Sequence, residues 1–193
     1  MKKLLPLLLL ILIGCSEPEP INLNTLNLRN DTYYLKNSDK PYTGPVFESY
    51  SNNQFSVEGN IKNGKWNSIV KFYLPNGQLT QERTYKDGKL INEKKFYYND
   101  NGQLKDEMTF KDGIPNGPFK SYYDNGQLEY EKTYKDGGID GPYKVYYENG
   151  QLMTEGTYKD NQLEGTYKDY LDDGKLELEQ TYKDGEVINY KEY

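Results

Sequence analysis

Two short phrases, Asn-Gly-Gln-Leu and Tyr-Lys-Asp-Gly, recur along this 193-residue chain in fixed phase, and that periodicity restricts the fold more than any other feature. The glycine of the first phrase stands at Gly77, Gly102, Gly126, Gly150 and Gly174, in steps of 25, 24, 24 and 24 residues. The glycine of the second stands at Gly88, Gly113, Gly137 and Gly185. Asn161 fills the remaining slot, since Asn tolerates a left-handed backbone nearly as well as Gly. The 25-residue step reads as one residue inserted in the turn Asn99-Asp100-Asn101-Gly102. An eroded copy precedes these, with Asn53-Gln54-Phe55 and Lys62-Asn63-Gly64 in the two slots, and a seventh begins at Tyr190 after six copies.

Each copy reads as a hairpin. An aromatic strand runs into Asn-Gly, whose left-handed preference suits a two-residue type I′ turn, and a Leu-led strand returns. Around Asn149-Gly150 the expected register sets Tyr147 against Leu152, Tyr146 against Met153, Val145 against Thr154 and Lys144 against Glu155. One face then carries Tyr143, Val145, Tyr147, Leu152 and Tyr158, and the other Lys144, Tyr146, Gln151, Glu155 and Thr157. The first face is the expected core. It consists of three uncharged columns: Phe55, Leu79, Leu104, Leu128, Leu152, Leu176; Tyr50, Leu74, Tyr98, Tyr123, Tyr147, Leu171; and Ile61, Tyr85, Phe110, Tyr134, Tyr158, Tyr182.

On the polar face, Lys71, Lys95, Lys120, Lys144 and Lys168 are expected opposite Glu82, Glu107, Glu131, Glu155 and Glu179. Exposed pairs of this kind contribute about 0.2 to 1 kcal/mol each, enough to hold register and solubility. Equivalent Glu residues would sit two strands, about 9.5 Å, apart. That is too far for the carboxylate pair of a retaining glycosidase, about 5 Å. A second polar column, Tyr73, Tyr97, Tyr122, Tyr146 and Tyr170, sets five rings beside Lys, Gln and Thr and is the candidate binding stripe. The turn acids lack calcium-loop spacing, and hairpin turns select Asp and Asn for backbone reasons, so no metal and no cofactor is expected.

Composition narrows the chemistry. With 21 Tyr and 18 Gly and with Ala absent, the chain favours sheet and turn over helix. With no His, it excludes Ser-His-Asp and Cys-His catalysis, His-ligated zinc and imidazole switching. The balance of 24 basic against 30 acidic residues argues against nucleic acid as a partner.

The first 15 residues read as an export signal: Lys2 and Lys3, an apolar run from Leu4 to Ile13, then Gly14-Cys15. The run is too short to span a bilayer, which needs about 20 residues. Leu12-Ile13-Gly14-Cys15 resembles the bacterial lipobox, which implies that Cys15 is diacylated and becomes the mature N-terminus. It also accounts for a lone cysteine in an exported chain. Ser16 after the Cys implies outer-membrane sorting, periplasmic or surface-exposed. Pro18 and Pro20 mark residues 16 to 30 as an extended tether. The expected domains are thus a leader over 1–15, a tether over 16–30 and a repeat domain over 31–193 with an N-terminal cap.

A 24-residue hairpin unit carrying Asp140-Gly141-Pro142-Tyr143, Asn116-Gly117-Pro118-Phe119, Tyr-Tyr-x-Asn-Gly-Gln-Leu and Tyr-Lys-Asp-Gly resembles the bacterial MORN-repeat variant family, often labelled YwqK-type toxin-antitoxin antitoxins. The resemblance covers residues 41 to 193. It implies an all-β fold in which hairpins stack edge to edge into one elongated antiparallel sheet, and roles in protein or membrane-lipid association without catalysis by the repeats. The function expected is a lipid-anchored, non-enzymatic protein interaction scaffold of the bacterial envelope, in contact with the membrane through its N-terminal lipid. Two alternatives stay open: a cell-wall or glycan binder, since the Tyr-rich Asn-Gly phrase also resembles choline-binding repeats, and an antitoxin or immunity protein that neutralises a partner toxin.

Overall fold

The computed structural model describes residues 18–193. The leader and Cys15 lie outside the described residues. From Gly44–Ser49 to Glu186–Glu192 the long strands follow one another in chain order, each antiparallel to its neighbour, in a sheet of 16 strands that also takes in Ile21–Asn22 and the short side pieces Lys65–Trp66 and Gln162–Leu163. Among the described residues the one helical element is the 3-10 turn Leu23–Thr25. The expected elongated all-β sheet is what forms, because aromatic and β-branched residues fill the strands and a chain-reversing turn arrives every 11 to 14 residues.

Both turn phrases reverse the chain, but the Asn-Gly turn is not the type I′ turn expected. The type I′ turn falls at Asp-Gly: Lys86 pairs with Lys89 across Asp87 (φ 52°) and Gly88 (φ 83°), both left-handed. At Asn-Gly only the glycine is left-handed, with Gly150 at φ 84°. There the Tyr147 N–H donates to the Gln151 carbonyl at 2.8 Å and the Gly150 N–H to the Tyr147 carbonyl at 2.8 Å. This is a type I turn closed by a glycine bulge, a longer loop than the two-residue turn expected. Asn149 stabilises it with its side chain, Oδ1 accepting from the Gln151 N–H at 2.9 Å. The bulge sets Tyr146 against Leu152 instead of Met153, while Val145–Thr154 and Lys144–Glu155 pair as expected.

The extra residue of the 25-residue step lies in a strand, not in the turn. Asn99, Gly102 and Gln103 make the same two backbone bonds as Tyr147, Gly150 and Gln151, so that loop has ordinary length. The surplus falls within Lys89–Tyr98. Lys95 therefore opposes Gln81 and Met108, Phe96 takes the place opposite Glu107, and Lys94 opposes Glu82.

Copies are stitched along both long edges. At the Asp-Gly edge the turn N–H of one copy bonds a carbonyl of the copy before it: Gly88 to Trp66, Gly137 to Pro115, Asn161 to Ile139 and Gly185 to Leu163, at 2.9 to 3.1 Å. At the Asn-Gly edge the side-chain amides reach forward, Asn52 Nδ2 to the Pro75 carbonyl and Asn125 Nδ2 to the Glu148 carbonyl, at 2.8 and 2.9 Å. The hydroxyls of Tyr50, Tyr123 and Tyr147 donate to the carbonyls of Tyr73, Tyr146 and Tyr170 one copy on, at 2.7 to 2.8 Å.

Among the described residues, the one cluster of buried apolar side chains lies at the N-terminal end of the sheet. Leu26, Val46 and Ile61 are buried there and packed by Ile21, Leu23, Tyr33, Tyr42 and Trp66. Ile21–Asn22 pairs in parallel with Val46 and Phe47, and Leu26–Arg29 forms a small sheet with Thr32–Leu35. Residues 21 to 29 therefore belong to the cap rather than to an extended tether, because Ile21, Leu23 and Leu26 have an apolar surface to cover. Beyond the cap the sheet is one layer, so the columns expected as core are only half covered: Phe55 is 48 % exposed, Leu74 39 % and Leu171 40 %. Aromatic contacts take over, Tyr143 meeting Tyr158 and Tyr167 meeting Tyr182 edge to face at 5.6 and 5.7 Å.

Candidate functional site

The face that carries the lysines is built from three parallel rows running across the strands. The middle row alternates in sign. Glu58, Lys71 and Glu82 oppose one another in turn, and beyond Phe96 so do Glu107, Lys120, Glu131, Lys144, Glu155, Lys168, Glu179 and Lys191. Four of the five expected Lys–Glu oppositions stand. Lys95 is the exception, because the inserted residue turns it to the other face, where its ammonium lies 4.8 Å from the Phe110 ring centre. Lys94 reaches Glu107 in its stead at 2.8 Å.

The second row is the tyrosine stripe, with one member replaced. Tyr73, Tyr98, Tyr122, Tyr146 and Tyr170 oppose Leu79, Leu104, Leu128, Leu152 and Leu176. Tyr97, placed in the stripe by its spacing from Tyr73, opposes Asp106 in the row of Ser121 and Val145 on the opposite face, 46 % exposed. The Tyr97-Tyr98 doublet makes either residue fit the spacing, and only the location of the insertion decides between them.

The stripe hydroxyls already have partners. The Tyr73 hydroxyl donates to Glu58, Tyr146 to Glu131 at 3.1 Å and Tyr170 to Glu155 at 2.8 Å, each across to the preceding copy. Burial, reinforced by these carboxylates, pushes the Tyr146 and Tyr170 phenols up to about 12. Burial and Glu107 do the same for Tyr122, and Tyr73 is raised likewise. What the stripe offers a partner is ring and Leu surface rather than a free hydroxyl.

The third row, which the sequence reading missed, consists of Pro45, Asn60, Ile69, Thr84, Pro118, Thr133, Pro142, Thr157, Thr166 and Thr181 beside the Lys–Glu row. Between the two rows the surface dips at equivalent places. Pro118, Glu131, Thr133, Pro142 and Lys144 line a hollow of about 210 Å³. One copy on, Pro142, Lys144, Glu155, Thr157, Thr166 and Lys168 line one of about 280 Å³. In the first copy the same place, with Phe47 and Ile69 replacing Lys and Pro, becomes an apolar hollow of about 400 Å³ with Pro20 in its wall. The signal lay in the Gly-Pro phrase. Gly141, at φ 128°, sits in a bulge where a Cβ would come within 3.1 Å of Thr133, and the proline after it faces Thr157.

The chain is similar in part to solved structures of TarM. One is a crystal structure of TarM, with a TM-score of 0.30 and 14 % identity over 52 % of this chain and 20 % of that one. The other is a mutant of S. aureus TarM in complex with fondaparinux, alpha-GlcNAc-glycerol and UDP, with a TM-score of 0.31 and 10 % identity over 50 % and 19 %. The chain thus spans about a fifth of TarM, a likeness that carries no functional argument. No curated protein matches it. The family described as MORN repeat variant matches residues 67–87, 92–112, 115–136, 139–160 and 163–184, five units covering more than half of the chain in phase with its hairpins, and the chain belongs to that family.

Proposed function

We propose that this protein is a non-catalytic interaction scaffold of the bacterial envelope, anchored in the outer membrane by lipid on Cys15 and engaging a protein partner through the Lys–Glu face of its sheet. The observation that carries the reading is that face: two hollows of the same build, one copy apart, beside a row of rings and leucines whose polar groups are already bonded within the sheet. A surface of that kind recognises by repeated contact. Residues 1–15 would act as the leader and 16–20 as the link to the cap, a tether of a few residues only.

Crosslinking the anchored protein in its native envelope and identifying what is captured tests the scaffold. Cys15→Ser tests the anchor, with lipid labelling expected to vanish and the precursor to remain uncleaved. Capture that is unaffected by charge reversal along the Lys–Glu row would place the contact elsewhere, and turnover of a defined substrate abolished by one substitution would overturn the scaffold reading.

A further inference from the structure

We infer that the paired hollows about Pro142 and Lys144 take a proline-rich segment of the partner protein in polyproline II conformation, two prolines three residues apart seated in successive hollows with an acidic residue between them. The inference rests on the scaffold reading and names the chemistry of what that face holds. Three observations lead to it.

The first is pitch. Successive hollows are two strands apart, about 9.4 to 9.8 Å along the sheet. A polyproline II helix advances about 3.1 Å per residue and repeats every three residues, about 9.3 Å. Prolines at positions i and i+3 therefore present the same face to two neighbouring hollows. Successive strands also rotate by roughly 20 to 25°. A straight segment thus tracks two hollows and then diverges, so the motif expected is short.

The second is charge. Pro142 and Lys144 form the wall shared by both hollows. Glu131 and Glu155 oppose Lys144 on either side, yet both accept a hydroxyl hydrogen bond from the stripe, Glu131 from Tyr146 and Glu155 from Tyr170. Lys120 and Lys168 each lie within 4 Å of a Glu oxygen, and among the described residues Lys144 makes no such contact. Its ammonium is available to a carboxylate lying over the wall.

The third is an example inside the molecule. In the first hollow of the row, Pro20 of the chain's own Pro18-Glu19-Pro20 segment forms part of the wall, together with Pro45, Phe47, Phe55 and Ile69. Proline-containing chain thus already borders one of these places, and aromatic-lined grooves are what polyproline segments dock against.

The test titrates labelled synthetic peptides against the full chain in detergent micelles, read by fluorescence anisotropy. A peptide containing Pro-Glu-Glu-Pro is expected to bind at least about tenfold more tightly than peptides with Pro-Glu-Pro or Pro-Glu-Glu-Glu-Pro spacing, or with Pro-Lys-Lys-Pro. Lys144→Glu should weaken the acidic peptide by about tenfold and strengthen the Lys peptide, while Lys144→Gln, which keeps the stem, should give an intermediate loss if the reversal variant fails to fold. Binding of all four peptides within about threefold, or indifference to both substitutions, overturns the inference. Envelope crosslinking with and without excess Pro-Glu-Glu-Pro peptide separates the two readings. If a defined partner is still captured while the peptide neither binds nor competes, the proline motif falls and the scaffold stands. If no partner is captured, the scaffold falls with it.

Discussion

Removing Gly138 to Asn161, one complete 24-residue unit, should leave a folded sheet that is shorter by two strands. Gly137 then precedes Gln162, and the return strand Leu128–Lys135 meets Gly165–Tyr170 in the register it formerly kept with Gly138–Tyr146. Glu131 faces Lys168 as it faced Lys144, Lys132 faces Tyr167 as it faced Tyr143, and Tyr134 faces Leu163 as it faced Ile139. At roughly 0.05 to 0.15 kcal/mol of stability per residue, the loss should be about 1 to 4 kcal/mol. Removing only Gly138 to Glu148 and Asn149, half a unit, breaks the pattern. Glu155 then falls where Tyr143 stood on the aromatic face beside Lys132, Gly156 replaces Lys144 opposite Glu131, and the Asn-Gly turn is gone. That junction should open, leaving two independently unfolding blocks. Urea unfolding followed by far-ultraviolet dichroism distinguishes the two: a single transition at reduced midpoint for the whole-unit deletion, and lowered slope or two transitions for the half-unit deletion. Equal damage from both would refute the period as the unit of folding.

Smaller perturbations test individual contacts. Val70→Ala removes two methyl groups from a fully buried side chain that shares the space over Gly59 with Trp66; it should cost about 2 kcal/mol and be read most clearly from Trp66 fluorescence. Gly141→Ala should cost about 1 to 2 kcal/mol, because φ is 128° and its Cβ would press on Thr133, whereas Gly126→Asn, at a left-handed position with open space, should cost less than half as much by the same unfolding assay. The phenols of Tyr122, Tyr146 and Tyr170 ionise near 12 in the fold against about 10 in the unfolded chain, so their contribution is complete below about pH 10 and is lost as pH rises through about 12. Replacing all three by Phe should flatten the fall in urea midpoint between pH 9 and pH 12; an unchanged slope would refute the assignment.

Most of the sheet is legible in the primary structure because each copy repeats the same local signals, and an error in one copy is outvoted by the others. What escaped detection is what does not repeat or what has two local solutions. Asn-Gly fits both a type I′ turn and a type I turn with a glycine bulge, and the choice is made by the side chain of Asn149, which holds the Gln151 N–H. The Tyr97-Tyr98 doublet hides the site of insertion, and a shift of one residue in a strand exchanges faces, so Tyr97 and Lys95 both left the candidate surface. The cap occurs once, so Ile21, Leu23 and Leu26 had no periodic partners to betray them. The hollows were missed for another reason: they lie between rows, where no single column of residues marks them.

The residue inserted in Lys89–Tyr98 bears on how such a chain avoids folding in the wrong alignment. Near-identical hairpins make an array translationally degenerate, since a first strand that pairs with its own return strand can pair almost as well with that of another copy, or with that of a neighbouring molecule. Skipped copies and strand exchange between chains are the failures this invites. One extra residue in one strand breaks the degeneracy: Phe96 opposes Glu107 while Lys94 opposes Glu82, and a chain shifted by a whole copy would set this longer strand against partners spaced for the regular one. The defect in the period thus acts as an index mark, giving an otherwise uniform ladder a single alignment.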